Sequence, residues 1–332
     1  MRAALVEAAN QPPVVRTIPT PTIAAGDALV KMHACGICFT DLRIMSGGIF
    51  RSFPIVLGHE PVGIVQEVGR GVSGVRPGDR VGVHALFTCG TCSYCVEDQE
   101  ESCDTRQLAG GAVYGGYAEY MRAPADHLIP LPAGLSFAEA APFFCAGLTV
   151  YAGMKNGGLR PGHRIAVIGI GGLGHMAIPI ARALGAEVVA VTSSPDKAET
   201  ARALGAQHVT SGKQVGDDLR DLGGVHVALD TSGSWSAVQS VLPGLRMQSA
   251  LVLLAGTGQG TEPPVPTSMI GGKQMRVQGS FYGSRTDVRE LLALAEGHHI
   301  RPLVERFPLE QVAQAQEKVR SNQVRFRAVL TL

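Results

Sequence analysis

The sequence predicts an α/β chain in which a doubly wound parallel sheet follows an irregular, β-rich region. Three observations carry this. From about residue 147 onward, apolar strand-like runs alternate with helical periods, the pattern of a parallel sheet with helices on both faces. A glycine-spaced turn joins the first of those strands to the helix after it. The first third holds short strand-like runs broken by Gly and Pro turns.

In chain order, "ALVKMHA" and "VGIVQEVG" read as strands, and "VRPGDRVGV" as a turn feeding a strand. "RIAVIGI" is a strand, "GGLGHMAIPIARALGA" a helix, "EVVAVTS" a strand and "PDKAETARALGA" a helix. "VHVALDTSG", "SALVLLAG" and "MRVQGSF" are later strands. "RTDVRELLALAEGHHI" and "PLEQVAQAQEKVRSN" are helical, and "RAVLTL" is strand-like. Pro179 removes a backbone donor inside the first helix of the sheet region and predicts a local kink. There is no internal repeat and no low-complexity tract.

The 332 residues suggest two domains with ample core. A net charge of +1 gives no reason to expect a nucleic-acid or membrane partner. "MRAALVEAANQPP" lacks a secretory apolar run, and "ALVLLA" is strand-sized, so a cytoplasmic location is the default expectation. In that setting seven cysteines, an odd number, favour metal binding or catalysis over disulfides.

"VIGIGGLG" places Gly169-x-Gly171-x-x-Gly174 between a strand and a helix, with Gly172 and Leu173 inside the turn. The first glycine allows the tight turn, the second lets the backbone approach a pyrophosphate, and the third lets helix and strand pack closely. This is a Rossmann-type dinucleotide site, with the phosphates at the helix N-terminus. The end of the second strand chooses the dinucleotide. An acidic residue there would bind a ribose diol. "VTSSPDK" instead has Thr192, Ser193 and Ser194, with Lys197 nearby. Hydroxyls plus a cation suit a 2′-phosphate, so NADP(H) is favoured over NAD(H). The alternative is that Asp196 binds the ribose and Lys197 is a solvated helix residue.

"CGTCSYCVEDQEESC" supplies Cys89, Cys92, Cys95 and Cys103, enough thiolates to close a tetrahedral structural zinc site. Cys35, Cys38, Cys145 and the pair His59-Glu60 remain. A catalytic zinc needs about three protein ligands and an open position, which two cysteines and a histidine from distant segments would supply. Beside a dinucleotide site, one chemistry fits: zinc polarises a carbonyl while the nicotinamide delivers hydride.

These residues resemble the zinc-dependent alcohol dehydrogenases of the medium-chain dehydrogenase/reductase superfamily. The resemblance runs along essentially the whole chain through "CGICFTDL", "GHEPVGIV", "PGDRVGV", the four-cysteine lobe, "CAGLTVY", "GIGGLG" and "GSFYGSR". It implies a GroES-like, β-rich catalytic domain from residues 1–146 and 282–332, carrying a structural-zinc lobe at 89–103. A Rossmann coenzyme domain would span 147–281.

By the same resemblance, Cys38, His59 and Cys145 hold a catalytic zinc, Glu60 lies close behind it, and Asp41 orients the histidine. Cys35 is packing. Thr40 hydrogen-bonds the substrate oxygen, Thr149 lies beside the nicotinamide, and Arg327 contacts the coenzyme pyrophosphate. Ile49 and Phe87 line the substrate wall, or are ordinary core.

Two zinc ions per chain, a small alcohol, aldehyde or ketone as substrate, and a homo-oligomer, tetramer or dimer, are implied. Two positions depart from the pattern. Arg43 stands where many relatives have a proton-relaying histidine, and arginine cannot serve as a base. Phe39 stands where many place a basic residue on the pyrophosphate. A polyol or sugar dehydrogenase on the same scaffold is the nearest alternative. A zinc-free reductase should lack the zinc ligands, and a non-catalytic nucleotide-binding relative should lack Thr40, a ligand or the glycine loop.

Overall fold

The structure is a computed structural model that describes residues 1–50, 52–254 and 265–332. They form two compact units, Met1–Cys145 with Gly283–Leu332, and Ala146–Tyr282.

The strand Asp27–Ile37 organises the first unit. Its sequence, DALVKMHACGI, is apolar at most positions and buried along almost its whole length. That suits a central strand with both faces covered. It pairs antiparallel with Pro61–Val68, Tyr120–Pro124 and Arg327–Thr331. Val304–Pro308 then pairs parallel to Arg327–Thr331. Residues from both ends of the chain thus share one sheet, which Arg80–Val83 and Leu128–Pro130 extend on the other side. Gly63 lies where the register with Asp27–Ile37 shifts, and a Cβ there would stand 2.0 Å from the Lys31 carbonyl oxygen. A smaller sheet joins Val14–Thr17, Arg2–Val6 and Ile55–Val56.

The second unit is a six-stranded sheet with every pairing parallel. Its order is His208–Thr210, Glu187–Val191, Arg164–Ile168, Val225–Asp230, Leu245–Leu254, Arg276–Ser280. In order of appearance that is 3-2-1-4-5-6, the doubly wound dinucleotide-binding topology. The inner strands Glu187–Val191, Arg164–Ile168 and Val225–Asp230 are rich in Val, Ile, Leu and Ala, and Ile168, Val189, Ala228 and Leu251 pack into one core with Leu219 and Val238. The helix Gly174–Ala183 runs through Pro179 as a single element. Of the expected strand "SALVLLAG", Ala255 and Gly256 lie outside the described residues.

Several short elements go beyond the sequence reading: the strands Arg2–Val6 and Val304–Pro308 and the helices Phe39–Met45, Val215–Asp221 and Trp235–Val241. Each is at most seven residues long, too short to repeat a hydrophobic period. Among the described residues no single helix is long and apolar enough to cross a membrane.

Candidate metal centre and dinucleotide loop

Three separate segments of the first unit converge on one point. Asp27–Ile37 runs into Cys38, which precedes the helix Phe39–Met45. His59 and Glu60 immediately precede the strand Pro61–Val68, and Cys145 ends the short turn Ala141–Phe144. One ligand atom from each of Cys38, His59, Glu60 and Cys145 lies within 4.8 Å of the others. The Sγ atoms of Cys38 and Cys145 are 3.8 Å apart. Two thiolates at tetrahedral positions on zinc, with bonds of about 2.3 Å, would be separated by about 3.8 Å.

Asp41 fixes this geometry. Fully buried, it accepts hydrogen bonds from the Cys38 N–H at 2.9 Å, the Gly58 N–H at 3.3 Å, His59 Nδ1 at 2.9 Å and the Tyr117 hydroxyl at 2.9 Å. A carboxylate only accepts, so His59 carries a proton on Nδ1 and leaves Nε2 as the ring nitrogen available to a metal. Nε2 is buried with no hydrogen-bond partner. Such an atom, beside two thiols, fits a metal ion. The hydrogen bond from Cys145 draws the Cys38 thiol well below its ordinary range and pushes that of Cys145 well above it. Burial raises the Glu60 carboxyl to about 7, against the pull of Arg327. Glu60 pairs with the guanidinium of Arg327, which is also buried. Gly36 makes room for Glu60, since a Cβ there would stand 1.8 Å from Glu60 Oε2.

Cys89, Cys92, Cys95 and Cys103 form a second cluster, with Sγ–Sγ distances of 3.9 Å for Cys89–Cys95, 3.5 Å for Cys92–Cys95 and 3.7 Å for Cys89–Cys103. All are close to the same tetrahedral edge. Four crowded thiols cannot all ionise without a cation. The Thr91 and Cys92 N–H groups bring Cys89 down to about 5, while burial and the neighbouring thiols push Cys95 up to about 12. The lobe is tied down from outside by Arg285, whose N–H and Nε donate to Glu100 at 2.9 and 2.7 Å.

In the second unit the three glycines of the loop differ in the space around them. Gly169 has φ +86°, and a Cβ on it would strike Ser232. A Cβ on Gly174 would stand 2.0 Å from the Gly169 carbonyl oxygen, while nothing lies within 4 Å of where one on Gly171 would sit. The middle glycine therefore exposes backbone where a phosphate could approach. Gly172 and Leu173 complete the turn, and the Leu173 carbonyl accepts from the Met176 and Ala177 N–H groups at the helix start.

Residues 24–133 match the family model of the alcohol dehydrogenase GroES-like domain, and residues 172–297 that of the zinc-binding dehydrogenases. An alcohol dehydrogenase of Geobacillus stearothermophilus is 40% identical over 338 residues, covering 99% of each chain. The chain belongs to the zinc-type alcohol dehydrogenases of the medium-chain dehydrogenase/reductase superfamily. The crystal structure of an NAD-dependent alcohol dehydrogenase superposes with a TM-score of 0.94 at 28% identity, covering 100% of both chains. A cobalt- and zinc-bound thermostable alcohol dehydrogenase from Pyrobaculum aerophilum superposes at 0.88 and 28% identity, covering 100% of this chain and 99% of that one. The fold is thus a GroES-like domain with a Rossmann-type parallel-sheet domain.

The remaining expected positions of this alcohol dehydrogenase fall variously. Thr40 is half-buried in the first turn of Phe39–Met45, next to Asp41. Thr149 is buried in the helix Ala146–Asn156. Ile49 is half-buried just beyond Phe39–Met45. Phe87 meets the His127 ring edge-on at 5.4 Å and lines a cavity of about 880 Å³ with Tyr114, Tyr120 and Met121. None of Cys38, His59, Glu60 or Cys145 lines that cavity. Cys35 is wholly buried and outside the metal clusters.

At the end of Glu187–Val191, Thr192, Ser193 and Ser194 line a depression of about 200 Å³. The cation on its wall is Arg202; Lys197 is not part of the lining. Asp218 also lines it and accepts from Thr210. Arg202 stands on the helix Pro195–Ala203, four positions after Ala198 and seven after Pro195, so the three share one face toward the depression. Tyr117 also went unread, because nothing in the spacing ties it to Asp41, 76 residues away.

Proposed function

We propose that this chain is a zinc-dependent alcohol dehydrogenase and carbonyl reductase that moves hydride reversibly between NADP(H) and a small alcohol, aldehyde or ketone. The observation that carries this is the meeting of Cys38, His59 and Cys145, with His59 Nε2 buried and unpartnered. When bound there, zinc supplies Lewis acidity at the substrate oxygen.

The chain's own residues do the rest. Cys38, His59 and Cys145 hold the catalytic ion, and Cys89, Cys92, Cys95 and Cys103 hold a second, structural one. Asp41 keeps the proton of His59 on Nδ1, so Nε2 stays a donor of electrons. Thr40 hydrogen-bonds the substrate oxygen and carries its proton outward. Arg43 cannot accept that proton, so the path ends elsewhere. The glycine loop offers backbone N–H groups to the pyrophosphate, and Thr149 sits beside the nicotinamide. Arg327 serves the pyrophosphate while balancing Glu60.

Support for NADP(H) comes from the hydroxyls of Thr192, Ser193 and Ser194 and from Arg202 around one depression, with no carboxylate at the strand end itself. Asp218 in the same wall and the NAD-dependent structural relative stand on the other side. The polyol or sugar reading draws support from Glu60, a carboxylate within the same 4.8 Å group as the histidine and the two thiols. A homo-oligomer, tetramer or dimer, in the cytoplasm completes the proposal, the compact length favouring the tetramer.

The test is initial rates of zinc-replete protein with NADPH and NADH, across aliphatic and aromatic aldehydes, their alcohols and a set of polyols. Turnover faster with NADPH on simple aldehydes, lost in Cys38→Ala and His59→Ala together with one zinc, is the expected result. Full activity in either variant overturns the assignment.

A further inference from the structure

Resting on the zinc reading above, we propose that Tyr117 is a positioning residue for His59. It would act through two contacts, its hydroxyl on Asp41 and its ring on the turn that carries the histidine. The hydroxyl donates to Asp41 Oδ2 at 2.9 Å, while Asp41 Oδ1 faces His59 Nδ1 at 2.9 Å. The two carboxylate oxygens are thus divided. One faces the histidine and the other is held from behind by the phenol and by the Cys38 N–H.

The ring makes the second contact. Gly58, directly before His59, has φ +102°, and a Cβ on it would stand 2.4 Å from the Tyr117 ring. The ring therefore lies flush against this backbone, and the Tyr117 backbone N–H anchors the residue by donating to the Leu57 carbonyl at 3.0 Å. Tyr117 is wholly buried, as are Asp41 and, very nearly, His59. Losing the hydroxyl leaves Asp41 Oδ2 with the Cys38 N–H as its remaining donor and loosens the carboxylate. The imidazole loosens with it, because Asp41 fixes its orientation.

The experiment compares zinc-loaded wild type, Tyr117→Phe and Cys38→Ala. It measures zinc per chain by mass spectrometry, zinc release to a chromogenic chelator, melting temperature, and the absorption spectrum after cobalt substitution. Phenylalanine keeps the ring on Gly58 and removes only the hydroxyl. In Tyr117→Phe we expect one of two zinc ions to bind about 10- to 100-fold more weakly. The cobalt spectrum should shift, kcat should fall more than KM rises, and the melting temperature should stay near that of wild type.

Unchanged zinc release and cobalt spectrum in Tyr117→Phe overturn the inference. So does weakening of both ions alike together with a large fall in melting temperature, which would mark a purely structural side chain. Cys38→Ala separates the two levels. If wild type holds two ions, Cys38→Ala holds one, and Tyr117→Phe behaves as wild type, this inference alone fails. If Cys38→Ala loses no zinc, the metal reading fails and the inference with it.

Discussion

Asp41 Oδ1 lies 2.9 Å from His59 Nδ1, and both residues are buried. The carboxylate is satisfied by donors alone, two backbone N–H groups, the imidazole and a phenol. Asparagine would present an NH₂ to at least one of them. Asp41→Asn is therefore expected to rotate or re-protonate His59 and to weaken zinc at Cys38, His59 and Cys145 about 10- to 100-fold. The zinc of the four-cysteine lobe should stay. Metal content after dialysis against a mild chelator checks this, and loss of neither ion would count against it.

Arg285 joins the four-cysteine lobe to the start of the helix Arg285–Gly297 through buried Glu100, and its Nη1 reaches Asp126 at 2.7 Å. Burial alone would raise the Glu100 carboxyl, but the hydrogen bonds and charge of Arg285 outweigh it and hold it below its ordinary 4.5. A carboxyl depressed on folding stabilises fully above that ordinary value, and the contribution is lost as pH falls through the folded value. Arg285→Met should cost about 2–4 kcal/mol near neutral pH by leaving Glu100 buried and unpaired. The gap between variant and wild type should narrow as pH falls through the ordinary carboxylate value of 4.5 and below it. Melting temperatures measured across that range test it. A gap that stays constant with pH would mean the pair contributes little.

Gly36 and Glu60 are packed without space for a side chain between them. A Cβ at Gly36 would stand 1.8 Å from Glu60 Oε2, so Gly36→Ala must drive that carboxylate aside and disturb its pairing with Arg327 through Oε1. The expected cost is about 2–4 kcal/mol, from overpacking and an unpaired buried charge. Denaturant unfolding of the variant reads it directly. A loss well under 1 kcal/mol would show that the Glu60 pocket yields more easily than its contacts suggest.

Much of this was legible in the sequence, for definite reasons. The parallel sheet announced itself because strands buried on both faces are continuous apolar runs, and Gly169, Gly171 and Gly174 have positions that only their backbone geometry explains. The cysteines of the lobe lie close in sequence, so spacing alone groups them. Cys38, His59 and Cys145 are far apart, and family resemblance rather than spacing joined them. Tyr117, Gly36 and Arg285 act through contacts made only by the folded sheet, which no periodicity records. Lys197 and Arg202 show the same limit within a single helix. Proximity along the chain favours the lysine, while helical spacing puts Arg202 on the face of Pro195 and Ala198, toward the depression.

That last contrast is open to measurement. If the depression beyond Thr192 receives a 2′-phosphate, the guanidinium of Arg202 is the cation lining it, with Ser193 and Ser194 as hydroxyl partners. A charged hydrogen bond is worth about 1.5–3 kcal/mol, or about 10- to 100-fold in binding. Arg202→Leu should therefore raise the KM for NADPH about 10- to 100-fold, while NADH, which has no 2′-phosphate, is little affected. Lys197→Leu should change either coenzyme much less. Parallel initial rates of the two variants with both coenzymes decide it. A larger effect from Lys197→Leu would return the phosphate to the helix start. Equal indifference of both variants, with NADH preferred by wild type, would mean that the hydroxyls of Thr192 and Ser193 serve a ribose diol.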